Sequence, residues 1–174
     1  LLRTLRERFA ACGLELHPEK TKIVYCQDHR RQGSHAHTSF DFLGYSFCKR
    51  TVKSKTGDLF MGFCPGISKA ALKSITQRIK AWNIGRRTDL SLADIAGFIN
   101  PYLRGWWNYY GRYYRSLLYR VARYVNQRLV RWATRKFKHL RGRKMKAIAA
   151  FSQLASTRRK LFAHWSQGMS GAFA

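Results

Sequence analysis

The chain has 174 residues, 45% of them hydrophobic and 14% aromatic, which excludes a disordered tail and suits one ordinary domain or two small ones. Its 34 Lys+Arg face only 8 Asp+Glu, giving a formal charge of +26. A folded protein this basic needs an abundant polyanion to offset its self-repulsion, and nucleic acid is the obvious one.

No apolar run approaches the roughly 18–20 residues that a membrane-crossing helix requires, so no membrane partner is expected. The opening Leu1-Leu2-Arg3-Thr4 has neither a starting methionine nor the pattern of a signal peptide, and the chain is expected to be a piece of a longer protein. Cys12, Cys26, Cys48 and Cys64 form no Cys-x-x-Cys pair, which excludes a zinc ribbon. Their wide spacing suits reduced thiols packed as small hydrophobes in a cytoplasmic compartment.

Leu1, Leu2, Leu5, Phe9 and Cys12 repeat at helical spacing, with Gly13 placed to end the helix. After the turn at His17-Pro18, residues 21–26 read as a strand. Residues 27–39 are polar, hold Gly33 and three histidines, and read as an exposed loop. His35-x-His37 offers two imidazoles without a third ligand nearby, so no metal site is expected. Residues 40–49 read as a second strand, and Gly57-Asp58 as the tip of a hairpin between 51–56 and 59–64.

Beyond Pro65-Gly66 the periodicity becomes helical. Ser68 is a good N-cap for a helix whose apolar stripe is Leu72, Ile75, Ile79 and Trp82. Residues 83–89 read as a basic loop. Ser91 with Asp94 forms a capping box opening a helix through Ile95, Phe98 and Ile99, and Asn100-Pro101 is suited to restart one. The longest helical signal runs over about 107–137, with Gly111 as an open question of a break. Its apolar direction holds Trp107, Tyr110, Tyr114, Leu118, Val121, Val125 and Trp132, opposite Arg112, Arg115, Arg120 and Arg123. A basic run over 138–146, a short amphipathic helix near 146–162 and a Gly/Ala-rich end complete the chain.

Charge is divided unevenly. All eight acids lie within residues 1–94, whereas 95–174 hold 17 Lys+Arg, no acid, and 16 of the 25 aromatics. A cationic helix face without carboxylates has no partner within its own segment, and its interleaved rings suit RNA or single strands. The candidate phosphate contacts are Arg104, Arg112, Arg115, Arg120, Arg123, Arg131, Arg135, Lys136, Lys138, Arg141 and Arg143. For the rings themselves the competing reading is core packing.

Three groups of residues resemble one family. The run Gly13-Leu14-Glu15-Leu16-His17-Pro18-Glu19-Lys20-Thr21-Lys22 resembles the segment after the catalytic carboxylates of a reverse transcriptase palm. Phe40-Asp41-Phe42-Leu43-Gly44-Tyr45 is similar to the segment that closes the palm and supports the primer end. Ile99-Asn100-Pro101-Tyr102-Leu103-Arg104-Gly105-Trp106-Trp107-Asn108-Tyr109-Tyr110 resembles the signature of the group II intron maturase domain. Tyr113-Tyr114-Arg115-Ser116, Leu129-Val130-Arg131-Trp132 and Leu161-Phe162-Ala163-His164-Trp165 extend the likeness.

The resemblance implies the C-terminal part of a bacterial group II intron reverse transcriptase/maturase, cytoplasmic and within a ribonucleoprotein. The implied fold class is α+β: a small antiparallel palm remnant over 1–66, an α-helical thumb or maturase domain over 67–140, and a basic extension over 141–174. Its implied partners are group II intron RNA, an RNA template with DNA primer, and the N-terminal fingers–palm part of the parent protein. By the same resemblance Lys20 and Lys22 sit near departing pyrophosphate, and Leu43, Gly44 and Tyr45 grip the primer. The family's clustered aspartates are missing, so this chain holds no catalytic residue beyond an accessory Lys20 and no cofactor; the Mg²⁺ expected for the parent polymerase needs carboxylates found elsewhere. Two other readings remain open: a general RNA- or DNA-binding module, and a decayed mobile-element fragment.

Overall fold

A computed structural model describes residues 1–28, 30, 33–171 and 173. Helix α1 (Leu2–Ala11) is followed by β1 (Phe40–Phe42), β2 (Tyr45–Lys53) and β3 (Leu59–Ile67). Helices α2 (Lys69–Ala81), α3 (Leu92–Tyr110), α4 (Tyr119–Lys136), α5 (Lys144–Thr157) and α6 (Ala163–Ser166) complete it. The strands form one antiparallel sheet in the order β1-β2-β3, so the fold is α+β with its helices concentrated in the second half. Two compact units divide the chain: Leu1–Phe40 with Cys48–Phe63, and Asp41–Phe47 with Cys64–Ala174.

The first unit holds α1, closed by Gly13 at φ +69°, and the hairpin at Gly57-Asp58, where Ser54 N–H donates to the Asp58 carbonyl at 2.8 Å. Among its described residues none is buried. The strand expected over 21–26 does not form. One backbone bond, Tyr25 N–H to the His37 carbonyl at 2.8 Å, is not a ladder, and Ile23 stays 72% exposed. β-branched and aromatic residues favour a strand only where a partner strand can pair with them. The described part of 27–39 has no regular structure, and His35 stacks on Tyr25 at 3.7 Å rather than pairing with His37. His29, Arg31 and Gln32 of that loop lie outside the described residues.

In the second unit the caps form as the sequence indicates. The Ser68 hydroxyl accepts the Ala71 N–H at 3.1 Å, and Ser91 and Asp94 close a reciprocal capping box. Three expectations change. The strand over 40–49 is broken because Leu43 and Gly44 take positive φ (+48° and +78°), turning β1 back beside β2. Helix α3 does not restart at Pro101 but runs through it; Gly97 and Pro101 are both exposed, so water can serve the carbonyl that proline leaves without a donor. The helix over 107–137 is two helices, separated at Gly111, where an added Cβ would meet the Trp107 carbonyl oxygen at 2.4 Å, and by the short turn Arg115–Leu118.

The core joins the apolar stripes of α2, α3 and α4. Residues 141–174 are not an appended tail: Phe162, Trp165, Met169 and Phe173 fill the same core. Asn100 fixes this return, donating to the Leu161 carbonyl and accepting the Ala163 N–H, both at 2.9 Å. Asn126 accepts from Trp165 Nε1 at 3.0 Å and lies 2.7 Å from His164 Nε2. An indole only donates, so the shared Asn126 atom is oxygen and His164 must carry its proton on Nε2. Its Nδ1 is buried with no partner, and burial pushes the imidazole pKa down to about 3.

Candidate nucleic-acid interface

Helix α4 builds the cationic face. At 100° per residue, Arg120, Arg123, Gln127 and Arg131 share one exposed side, while Val121, Val125, Leu129 and Trp132 lie buried on the other. The Arg3–Glu7 and Arg87–Asp89 ion pairs belong to earlier parts of the chain. Next comes the 138–146 segment. Leu140 anchors it in the core, Gly142 turns it at φ +72°, and Lys138, Arg141, Arg143, Lys144 and Lys146 are exposed around them. A pocket of about 370 Å³ joins the two elements, placing Arg131 and Lys144 on a common wall with Gln127 and Thr134.

Three of the candidate contacts also bond within the protein, although Arg115 and Arg135 stay exposed. Arg115 Nη2 donates to the Gln167 carbonyl at 2.9 Å and also to its side-chain oxygen. Arg135 donates to the Gly85 carbonyl at 3.1 Å, and Lys136 to the Leu90 carbonyl at 2.6 Å while lying over the Trp132 ring. With Trp132 Nε1 donating to the Arg87 carbonyl, they pin the 83–89 loop, which buries Ile84. In this stretch without carboxylates, main-chain carbonyls accept from Arg115, Arg135 and Lys136. Arg104 is exposed on α3 and Arg112 just after its end. Sequence reasoning passed over Lys144, Lys146, the exposed run Arg158-Arg159-Lys160, and Arg128, whose guanidinium lies 4.5 Å from the Tyr124 ring centre. Counting all exposed cations, not only those near the long helix, would have found most of them.

The 43–44 turn is tethered on several sides. Tyr109 Oη donates to the Leu43 carbonyl and the Ser68 N–H to the Gly44 carbonyl, both at 2.9 Å. Tyr45 Oη donates to the Tyr109 carbonyl, and a Cβ on Gly44 would meet Tyr110 Oη at 2.7 Å. Leu43 is 68% exposed, whereas Tyr45, expected beside it as a contact, is 8% exposed among Tyr109, Tyr110 and Tyr113. Tyr45 therefore holds the turn from behind. Burial raises the pKa of both Tyr45 and Tyr110. An open groove of about 600 Å³ runs past Gly44, Ser68, Ala71, Trp106 and Tyr109. Lys20 and Lys22 are exposed in the first unit, where the Lys20 N–H donates to His17 Nδ1 at 3.3 Å. Among the described residues no three His, Cys, Asp or Glu side chains gather as metal ligands, and no helix is long and apolar enough to cross a membrane.

Fold and surface thus define a helical domain with one apolar and one strongly cationic side, in a chain that also holds a small antiparallel sheet. Residues 72–151, from within α2 to within α5, match the family model of the group II intron, maturase-specific domain. No curated protein and no solved structure matches the chain.

Proposed function

We propose that the chain is the C-terminal part of a group II intron reverse transcriptase, whose helical unit binds intron RNA and assists its splicing. The observation that carries this reading is the face of Arg120, Arg123 and Arg131 on α4, exposed within a stretch of 80 residues that contains no acid. Phosphates laid along that face neutralise it and release condensed counterions, so binding energy is invested in the folded form of the RNA. The RNA performs the splicing chemistry; the protein stabilises the shape that performs it. Arg104, Arg112, Lys138, Arg141 and Arg143 extend the contact, and Lys144 adds a cation beside Arg131.

A second role concerns the template and primer. The exposed Leu43 and the left-handed Gly44, held by Tyr109 and Ser68, present a rigid turn to a passing primer backbone. The eight acids of this chain are scattered singly along a basic sequence, whereas two-metal polymerisation uses clustered carboxylates. Polymerisation would fall to carboxylates in the fingers–palm part of the parent protein, and Lys20 would serve it there as an accessory cation.

The test is a binding titration of folded group II intron RNA against bulk RNA at several salt concentrations. Affinity should fall steeply with salt, and changing Arg120, Arg123 and Arg131 together to Ala should reduce the log–log slope by roughly 2–3. A salt-independent affinity defeats the reading. Equal competition by bulk RNA shows a general nucleic-acid binder instead.

A further inference from the structure

Four aromatic rings form a row on the outer side of α2 and α3, away from the cationic face of α4; Trp82 and Trp106 pack their inner sides against the core, whereas Phe98 and Tyr102 lie outside it. Phe98, Tyr102 and Trp106 stand at successive four-residue steps along α3, and Trp82 from the end of α2 lies against all three. Trp82 and Trp106 are stacked, their planes 16° apart and centres 5.6 Å apart. Tyr102 lies 6.1 Å from Phe98 and 6.4 Å from Trp106, giving an unbroken row. The Arg78 guanidinium sits 5.0 Å from the Tyr102 ring centre. Phe98 is 49% exposed and the other three rings are half-buried. The buried stripe of the same helix, Ile95, Ile99, Leu103 and Trp107, is a separate row. Phe98 and Tyr102 therefore lie outside the core, and Trp82 and Trp106 link them to it.

We propose that Trp82, Phe98, Tyr102 and Trp106 form a stacking platform for unpaired nucleotides of a bound RNA. The proposal rests on the RNA-binding reading above and adds which RNA the domain prefers: single-stranded segments, not only duplex phosphates. Charge selects the occupant. Residues 64–174 carry 23 Lys+Arg against 2 Asp+Glu, and the platform's own polar neighbour is the Arg78 guanidinium. A polyanion whose units carry flat π-faces satisfies both features, and base–aromatic stacking tolerates any base. Duplexes keep their bases stacked on each other and cannot use the rings. Trp106 also lines the open groove past Gly44 and Ser68, which gives a strand room to leave the platform.

The test uses the whole chain with two probes, a single-stranded uridine RNA of about 12 nucleotides, within the range such strand-tracking sites cover, and an RNA duplex of about the same length. Trp107, Trp132 and Trp165 are buried, so quenching of tryptophan emission by the single strand reports Trp82 and Trp106. Phe98→Ala should weaken single-strand binding by roughly 5- to 150-fold and leave duplex binding unchanged. Phe98→Leu, which keeps apolar area without the π-face, should bind the single strand nearly as weakly as Phe98→Ala. Thermal melting of each variant verifies its fold. The platform is overturned if the single strand does not quench, if both probes lose affinity equally, or if Phe98→Leu behaves as wild type, which would mark the face as an apolar protein-docking surface. Loss of all RNA binding by the unmodified chain would instead defeat the RNA-binding reading itself.

Discussion

The two units solve the same problem, a large positive charge, in opposite ways. Residues 1–40 with 48–63 hold Glu7, Glu15, Glu19, Asp28 and Asp58, most of the chain's acids, and bury none of their described residues. The helical unit has almost no acids yet buries entire rows of side chains from four helices and the 162–173 return. Opposite charges close at hand do not make a core, because exposed ion pairs contribute little. Apolar area does, and it also frees the outer side of α4 to remain cationic.

Matched substitutions break or sharpen that contrast. The largest difference is expected from Trp165→Ala, which opens a core cavity and removes the donor to Asn126; it should cost about 3–5 kcal/mol in denaturant melts. Ile23→Ala, an apolar truncation in the first unit, should change stability by less than about 0.5 kcal/mol. Similar losses for both would mean that the first unit is packed after all.

Acid comes next. The native state holds His164 neutral down to about pH 3, whereas the unfolded chain protonates it below its ordinary 6.5. Stability contributed by the neutral ring is therefore complete above 6.5 and is lost as pH falls toward 3. Between pH 7 and pH 5 the loss should be about 2 kcal/mol, read as a shift in urea midpoint. The lowered carboxyl pKa of Asp94, caused first by its hydrogen bond with the Ser91 side chain, acts in the same direction but at lower pH. A flat profile from about pH 7 to 5 would contradict the buried, unpartnered Nδ1.

The smallest pair compares two serines. Ser91→Ala removes the capping box of α3 and should cost about 1 kcal/mol, measured by thermal melting. Ser54→Ala removes a turn bond to the Asp58 N–H in an exposed hairpin and should cost less than about 0.5 kcal/mol.

What could be read from the sequence follows the range of the forces involved. Ser68, Ser91 with Asp94, and Gly57-Asp58 act within a few residues, and each forms where its local chemistry indicates. The turn at Leu43-Gly44 depends on what lies across from it, the Tyr109 and Ser68 tethers. A window of neighbouring residues does not contain those partners. The strand over 21–26 fails for the complementary reason, since periodicity cannot supply a second strand. For the interface, exposure of Arg120, Arg123 and Arg131 was legible from helical phase, but the capture of Arg115, Arg135 and Lys136 by distant carbonyls was not. The row from Phe98 to Trp106 was visible as spacing; that Trp82 completes it is a tertiary fact.

The return of residues 161–165 onto Asn100 and Asn126 also sets a timetable for synthesis. While the ribosome is still translating the stretch after α5, both asparagines face an unfilled core and their amides must remain hydrated. The helical unit can reach its final form only once Phe162 and Trp165 have emerged, so nascent chains arrested before them should be protease-sensitive and prone to capture by chaperones.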